Sequence, residues 1–194
     1  MMTPITEKIV QDSLYRHLRS SFTTIFPNMD TITMYEADIL AVSRAGYAYE
    51  YEIKISQADF RADLKKKCKH ASLSGQVKKI PYPYSWGKER EIYVLADAPA
   101  DPFQAMRGGT CYPENRPKEF WYVIYGFSIS ESEIPSHAGL MEYIVPDIGW
   151  PVFRVVKKAP KLEAKKVDTS LLARAMSNML FRYWNMRMKE DLFL

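Results

Sequence analysis

The stretch YEADILAVSRAGYAYEYEIKIS, residues 35–56, decides the fold of this chain. From Tyr47 onward it alternates strictly. Residues two apart in a strand share a face, so Tyr47, Tyr49, Tyr51, Ile53 and Ile55 form an apolar face and Glu50, Glu52, Lys54 and Ser56 the opposite one. The preceding run, Thr31 to Ser43, is also strand-like, with Glu36, Asp38 and Leu40 on one face. Arg44, Ala45 and Gly46 between the runs suit a three-residue hairpin loop, whose last position needs the left-handed conformation that glycine adopts freely. That loop pairs Ser43 with Tyr47, and counting back sets Leu40 opposite Glu50, Asp38 opposite Glu52 and Glu36 opposite Lys54. A two-residue loop would set Asp38 opposite Ile53, on the wrong face, because a one-residue slip exchanges the faces.

In the three-residue register four carboxylates share a surface with one lysine. Two like charges about 5.5 Å apart repel by roughly 3 kcal/mol at an effective dielectric near 20. Lys54 does not neutralise them all, whereas a hard divalent cation does, since Mg²⁺ takes oxygen ligands and completes its shell with water and phosphate. Such a cation lowers the pKa of water and stabilises charge developing on a phosphoryl group. A bare E-x-K is most often a solvent-facing pair; here the register adds Asp38, and a basic helix begins two residues beyond Lys54.

Working outward, the apolar positions from Ile5 to Phe22 recur at helical spacing, with Thr6 as N-cap and Glu7 in the first turn. Ser56 starts a second predicted helix as a capping box with Asp59, and Phe60, Leu64 and Cys68 form its apolar stripe. Glu91 to Ala96, Glu119 to Tyr125, Leu140 to Val145 and Val152 to Val156 read as further strands. Ala98 to Lys118 is rich in Pro, Gly and Asp and too long for a routine connector, which leaves a functional lid or a mobile insertion. Asp168 to about Lys189 predicts a long terminal helix whose four methionines are read as adaptable core.

The chain has 194 residues and a net charge of +4, with 47% hydrophobic residues, which suits one globular domain, residues 1–194, with elaborations. No window approaches a membrane span and no signal peptide is legible, so a cytoplasmic protein is expected, without a membrane partner. Cys68 and Cys111 make neither a disulfide framework nor a zinc signature and are read as reduced thiols; His17, His70 and His137 are read as structural or surface residues. Between Arg61 and Arg90 nine basic residues face two acidic ones, a concentration that suits a polyanion. Lys65, Lys66, Lys67, Lys69, Lys78 and Lys79 are the candidate DNA-backbone contacts; Tyr82, Tyr84 and Trp86 are read first as core packing or loop anchors, with stacking on unpaired bases as the second reading.

The segment 35–56, followed by QADFRADLKKK, resembles the core of the PD-(D/E)XK nuclease superfamily, particularly small stand-alone phage and bacterial members. The later IPSHAGLMEY and VVKKAP look like the same subgroup, while about 80–117 looks inserted. The resemblance implies an α/β (α+β) fold with a restriction-endonuclease-like core, helix-strand-strand-strand-helix-strand, a central mixed sheet flanked by helices, and here an additional C-terminal helix at about 168–189. It implies Asp38, Glu52 and Lys54 as the catalytic residues. The metal ligands are then Asp38, Glu52 and the backbone carbonyl of Ile53, with Glu7 as a further acid, and Glu36 and Glu50 are additional acidic candidates.

The expected activity is a Mg²⁺-dependent DNA nuclease, with Mn²⁺ as a substitute, that hydrolyses phosphodiesters to leave a 5′-phosphate in phage or bacterial replication, recombination or repair. DNA is the expected partner, and a homodimer is compatible with the sequence. The alternatives are a DNA-binding or assembly protein that keeps this fold without cleaving, and an RNA-directed nuclease.

Overall fold

A computed structural model describes residues 4–83 and 90–190. Helix α1, Glu7–Leu18, begins where expected: the Thr6 hydroxyl accepts the Ile9 N–H at 3.4 Å. The hairpin follows as β2, Ala37–Val42, and β3, Ala48–Lys54, preceded by β1, Thr24–Met29. Leu40 pairs with Glu50 and Val42 with Ala48, Ser43 N–H donates to the Tyr47 carbonyl at 2.9 Å, and Gly46 sits at φ +85. The three-residue register therefore holds.

β1 went unread in the sequence because it contains Pro27. It is an edge strand, where a missing N–H costs nothing if it faces away from the sheet. The predicted strand from Thr31 correspondingly starts only at Ala37, after a turn at 31–33.

The chain continues through α2, Gln57–Asp63, and α3, Lys67–Ser74, to a separate antiparallel pair, β4, Val77–Pro81, with β5, Glu91–Leu95. A short helix α4, Pro102–Arg107, and a 3₁₀ turn at Pro113–Asn115 lead to β6, Glu119–Ile124, then β7, Ala138–Ile144, β8, Val152–Lys157, and α5, Thr169–Glu190. The six-stranded sheet has the order β1-β2-β3-β6-β7-β8. β3, β6 and β7 run parallel and the remaining pairs antiparallel, so this is a mixed α/β architecture with a mixed sheet flanked by helices.

Alternation along each strand divides the core. Ile39, Tyr51, Ile53, Trp121 and Val123 pack under Val10, Leu14 and Leu18 of α1. On the other face Phe120, Tyr122, Ile124 and Leu140 meet Phe60 of α2 and Leu73 of α3, and Leu40, Val42 and Ala48 meet Ala175 of α5. Glu50, Glu52 and Lys54 belong to this second face, which carries a charged cluster inside an otherwise apolar layer.

The single predicted helix from Ser56 is two helices, broken at 64–66. Residues six apart on one straight helix point about 120° away from each other. The break turns Asp63 and Lys69 alike toward the sheet, where their side chains are 1% and 2% exposed. The C-terminal helix forms over the expected span, but Met176, Met186 and Met188 are exposed and Met179 alone of the four packs against the core, so the methionines do not fill the interior. Cys68 and Cys111 are free thiols. Tyr84 and Trp86 lie outside the described residues. No helix among those described is long and apolar enough to cross a membrane.

Gly139 on β7 marks a close approach: an added Cβ would lie 2.5 Å from Trp121 Cε3 and 2.6 Å from the Ala159 amide nitrogen. Gly139→Ala is expected to destabilise by about 1–3 kcal/mol. A urea titration should show a lower midpoint at unchanged slope; an unmoved midpoint would mean that these neighbours yield freely.

Candidate active site

Between β2 and β3 the last recorded rung joins Ile39 to Tyr51, and beyond it side chains take over. Asp38 Oδ2 accepts the Ile53 N–H at 2.6 Å, and the Asp38 carbonyl accepts Gln11 Nε2 of α1, also at 2.6 Å. N–H and C=O of one strand residue lie along the same edge. The Ile53 carbonyl is thus directed toward Asp38, as a ligand there would require.

Glu52, expected opposite Asp38, is 3% exposed and paired at both oxygens. Lys54 Nζ lies 3.1 Å from Oε2, and Lys69 Nζ hydrogen-bonds Oε1. Lys69 also lies 3.4 Å from Glu50 Oε1 and 3.7 Å from Asp63 Oδ1. Asp63 in turn accepts the Tyr122 hydroxyl at 2.7 Å and pairs with Lys66 at 2.7 Å, and Lys54 reaches Asp59 at 3.6 Å. The Ser56 hydroxyl caps Asp59 N–H as predicted, while the Asp59 carboxylate completes this ion pair instead of a capping box.

Lys69 is the main correction to the sequence reading. Expected on the DNA-facing surface, it is 2% exposed with its ammonium among three carboxylates, so it offers nothing to a phosphate backbone. Its neighbours in a lysine run gave no sign of this: Lys65 and Lys66 at the helix break and Lys67, two residues before it on α3, are all exposed. Lys78 is also withdrawn, its ammonium donating to the Ala98 carbonyl, and Lys79 pairs with Glu91 at 3.1 Å while remaining on the surface. Glu36 is exposed and precedes β2, outside the cluster, whereas Glu50 lies in it at 1% exposure with Oε1 lacking a hydrogen bond. Asp63 and Tyr122 are the other members that sequence patterns missed.

The electrostatics separate the acids. Burial raises Asp63, yet Lys69, hydrogen bonds from Lys66 and Tyr122, and Lys54 outweigh it and hold the carboxyl far below the usual range. Burial pushes Glu50 up to about 7 despite Lys69, with Glu52 adding to the rise. Burial followed by the charge of Glu52 likewise pushes Asp38 up to about 7, against Ile53 N–H and Lys54, and Glu7 adds to it. Desolvation pulls Lys54 and Lys69 down, but the surrounding carboxylates prevail and both stay charged. Nearby, His70 Nδ1 and His137 Nε2 are 3.0 Å apart, and burial lowers both histidines, His137 to about 4.

Five carboxylates, Asp38, Glu50, Glu52, Asp59 and Asp63, thus surround three ammoniums, and among the described residues Asp38 has no cation within ion-pair distance. No group of three or more His, Cys, Asp or Glu side chains among these residues is arranged to chelate a metal. The expected donors are fewer: Asp38, Glu52, whose two oxygens are already held by Lys54 and Lys69, and the Ile53 carbonyl, with Glu7 acting on Asp38 only through its charge. That fits Mg²⁺, which is commonly held by one or two carboxylates and otherwise by water and substrate, and the excess negative charge at Asp38 gives a cation a reason to bind.

No protein-family model matches the sequence, and no curated protein does. A solved structure of a protein of unknown function from Silicibacter pomeroyi is similar, with a TM-score of 0.52 at 15% identity over 97% of this chain and 96% of that one. At this identity the likeness bears on the fold alone.

Asp38 has a pH signature that can be measured. With its folded pKa raised to about 7, the folded state takes up a proton near neutrality, whereas the unfolded chain does so only near pH 4. Stability therefore falls as pH rises through this window. In metal-free buffer, wild type should gain on Asp38→Asn by at most about 1.4 kcal/mol per pH unit between about pH 7 and pH 5. Parallel stability-pH profiles for the two proteins would refute the assignment.

Proposed function

We propose that this chain is a divalent-cation-dependent DNA nuclease of the PD-(D/E)XK type, with Asp38, Glu52 and Lys54 at its centre. The observation that carries the proposal is Asp38 at the open end of the β2–β3 ladder, its carboxylate on the Ile53 N–H and its pKa raised by burial and, after it, by the charge of Glu52. The order α1, β1, β2, β3, then α2 and α3, then β6 parallel to β3, supports the restriction-endonuclease-like topology of that superfamily. The β4–β5 pair and α4 then stand as an insertion between helix and fourth core strand, and α5 as an addition.

A bound cation would supply water of lowered pKa and positive charge for the phosphoryl oxygens. Asp38, Glu52 and the Ile53 carbonyl would hold it. Lys54, kept charged by the acids about it, stands at the end of β3 where it orients the attacking water or steadies charge on the phosphate. Lys65 and Lys67, exposed at the α2–α3 turn, would hold the DNA backbone without reading sequence.

Purified protein incubated in Mg²⁺ or Mn²⁺ with supercoiled, linear, single-stranded and branched DNA, and with RNA, tests this. Cleavage of DNA is expected, with a loss of at least about a hundredfold in Asp38→Asn and in Lys54→Ala. Cleavage persisting in both variants would discard the site. Binding without cleavage would favour a non-catalytic DNA-binding protein of the same fold, and cleavage confined to RNA the RNA-directed alternative.

DNA affinity gives an independent readout. Replacing both Lys65 and Lys67 with alanine should reduce the slope of log affinity against log salt by about 2, whereas Lys69→Met should leave that slope unchanged. An equal change from Lys69→Met would contradict its burial.

A further inference from the structure

The ammonium of Lys69 sits where the acids of β3 would otherwise depend on a metal ion. It is 2% exposed, hydrogen-bonds Glu52 Oε1 and lies 3.4 Å from Glu50 Oε1, a buried oxygen without a hydrogen bond. Lys54 occupies the other oxygen of Glu52. A lysine charge at this depth is costly to desolvate and persists because carboxylates surround it. The backbone is built for the arrangement, since the break between α2 and α3 is what turns Lys69 inward together with Asp63.

We propose that Lys69 is an internal counter-ion: it lets the acid cluster fold without a divalent cation, and it opposes any cation that binds at Glu52. This rests on reading Asp38 and Glu52 as a cation site, and adds a regulatory property to that site. A positive charge hydrogen-bonded to one ligand weakens that ligand's attraction for a second positive charge. The site therefore stays assembled when divalent ions are scarce, and it loads only when they are abundant or when substrate phosphates add negative charge. Lys69 is a positioning residue, acting through Glu52 and Glu50 and not on substrate.

Two properties of the 194-residue chain test this apart from activity: its melting temperature in EDTA and in Mn²⁺, and its Mn²⁺ affinity, read from the EPR signal of the free ion. Wild type should melt at nearly the same temperature with and without Mn²⁺ at concentrations that leave its site mostly empty. Lys69→Met should melt lower in EDTA, recover with Mn²⁺, and bind Mn²⁺ at least about tenfold more tightly. Because Lys69→Met leaves Glu50 unpaired and is liable to misfold, the same substitution is also made on Glu50→Gln, where the charge lost is matched; there too it should raise Mn²⁺ affinity at least about tenfold over Glu50→Gln alone. Unchanged or weaker affinity in the Glu50→Gln background, or a Lys69→Met protein that Mn²⁺ does not rescue, would overturn the proposal. If wild type nevertheless binds Mn²⁺ and Asp38→Asn does not, the cation-site reading survives that failure. Absence of Asp38-dependent Mn²⁺ binding in every variant would overturn both.

Discussion

Glu52 is 3% exposed and lies between two ammoniums, Lys54 on one oxygen and Lys69 on the other. A carboxylate so far from water costs several kcal/mol unless it is paired and hydrogen-bonded, and that requirement shapes much of the surrounding chain. Lys54 reaches Glu52 because both occupy one face of β3, two residues apart. Lys69 reaches it because the helix after β3 breaks, and Asp63 joins the cluster as the acceptor of the Tyr122 hydroxyl and the ion-pair partner of Lys66 and Lys69. An apolar layer runs along the same face, with the Tyr122 ring edge-on to both Phe60 and Phe120, and Phe120 presents its ring to the Lys69 ammonium at 4.9 Å. Charge and core are interleaved here, so the cluster is as much a folding element as a chemical one.

The hairpin was legible in the sequence because two constraints acted together. Strict alternation identified the face, and a glycine at the third loop position chose the register, so the pairing of Leu40 with Glu50 followed without any long-range information. Thr6 and Ser56 were equally readable, since a cap depends only on residues within one turn. β1 was not, because Pro27 signals against a strand unless the strand is known to be at an edge, which is a property of the whole sheet. Lys69 was hidden for a similar reason. In a run of lysines nothing local distinguishes the one that turns inward; burial was decided by Glu50 and Glu52, 19 and 17 residues earlier in the chain.

α5 shows the same limit from the opposite direction. Its length and span were readable from periodicity; in the structure the Asp168 carboxylate accepts the Ser170 N–H at 2.7 Å at its start. Its packing was not, because an apolar stripe records a preference for burial and not the extent of surface available. Leu172, Ala175 and Met179 find the core beside β1, and Asn178 and Arg182 bond to Thr31, Pro27 and Asn28, whereas Phe181 and Trp184 remain 69% and 54% exposed.

Asp38 and Glu52 are close enough for the charge of one to act on the other, yet they are held in opposite ways. Glu52 is ion-paired at both oxygens, whereas Asp38 takes a neutral backbone N–H and feels Glu52 and Glu7 as repulsion. The unbalanced charge is consequently concentrated on Asp38, at the point where the β2–β3 ladder opens, and the buried end of the cluster is nearly compensated. A cation attracted to this site gains most from Asp38 and least from Glu52. On the proposed reading Asp38 would provide the principal attraction, while Glu52 and its lysines would form a fixed wall beside the ion and its substrate. Preorganisation of this kind is what charge development in a transition state rewards, and it requires a rigid acid as well as an unsatisfied one.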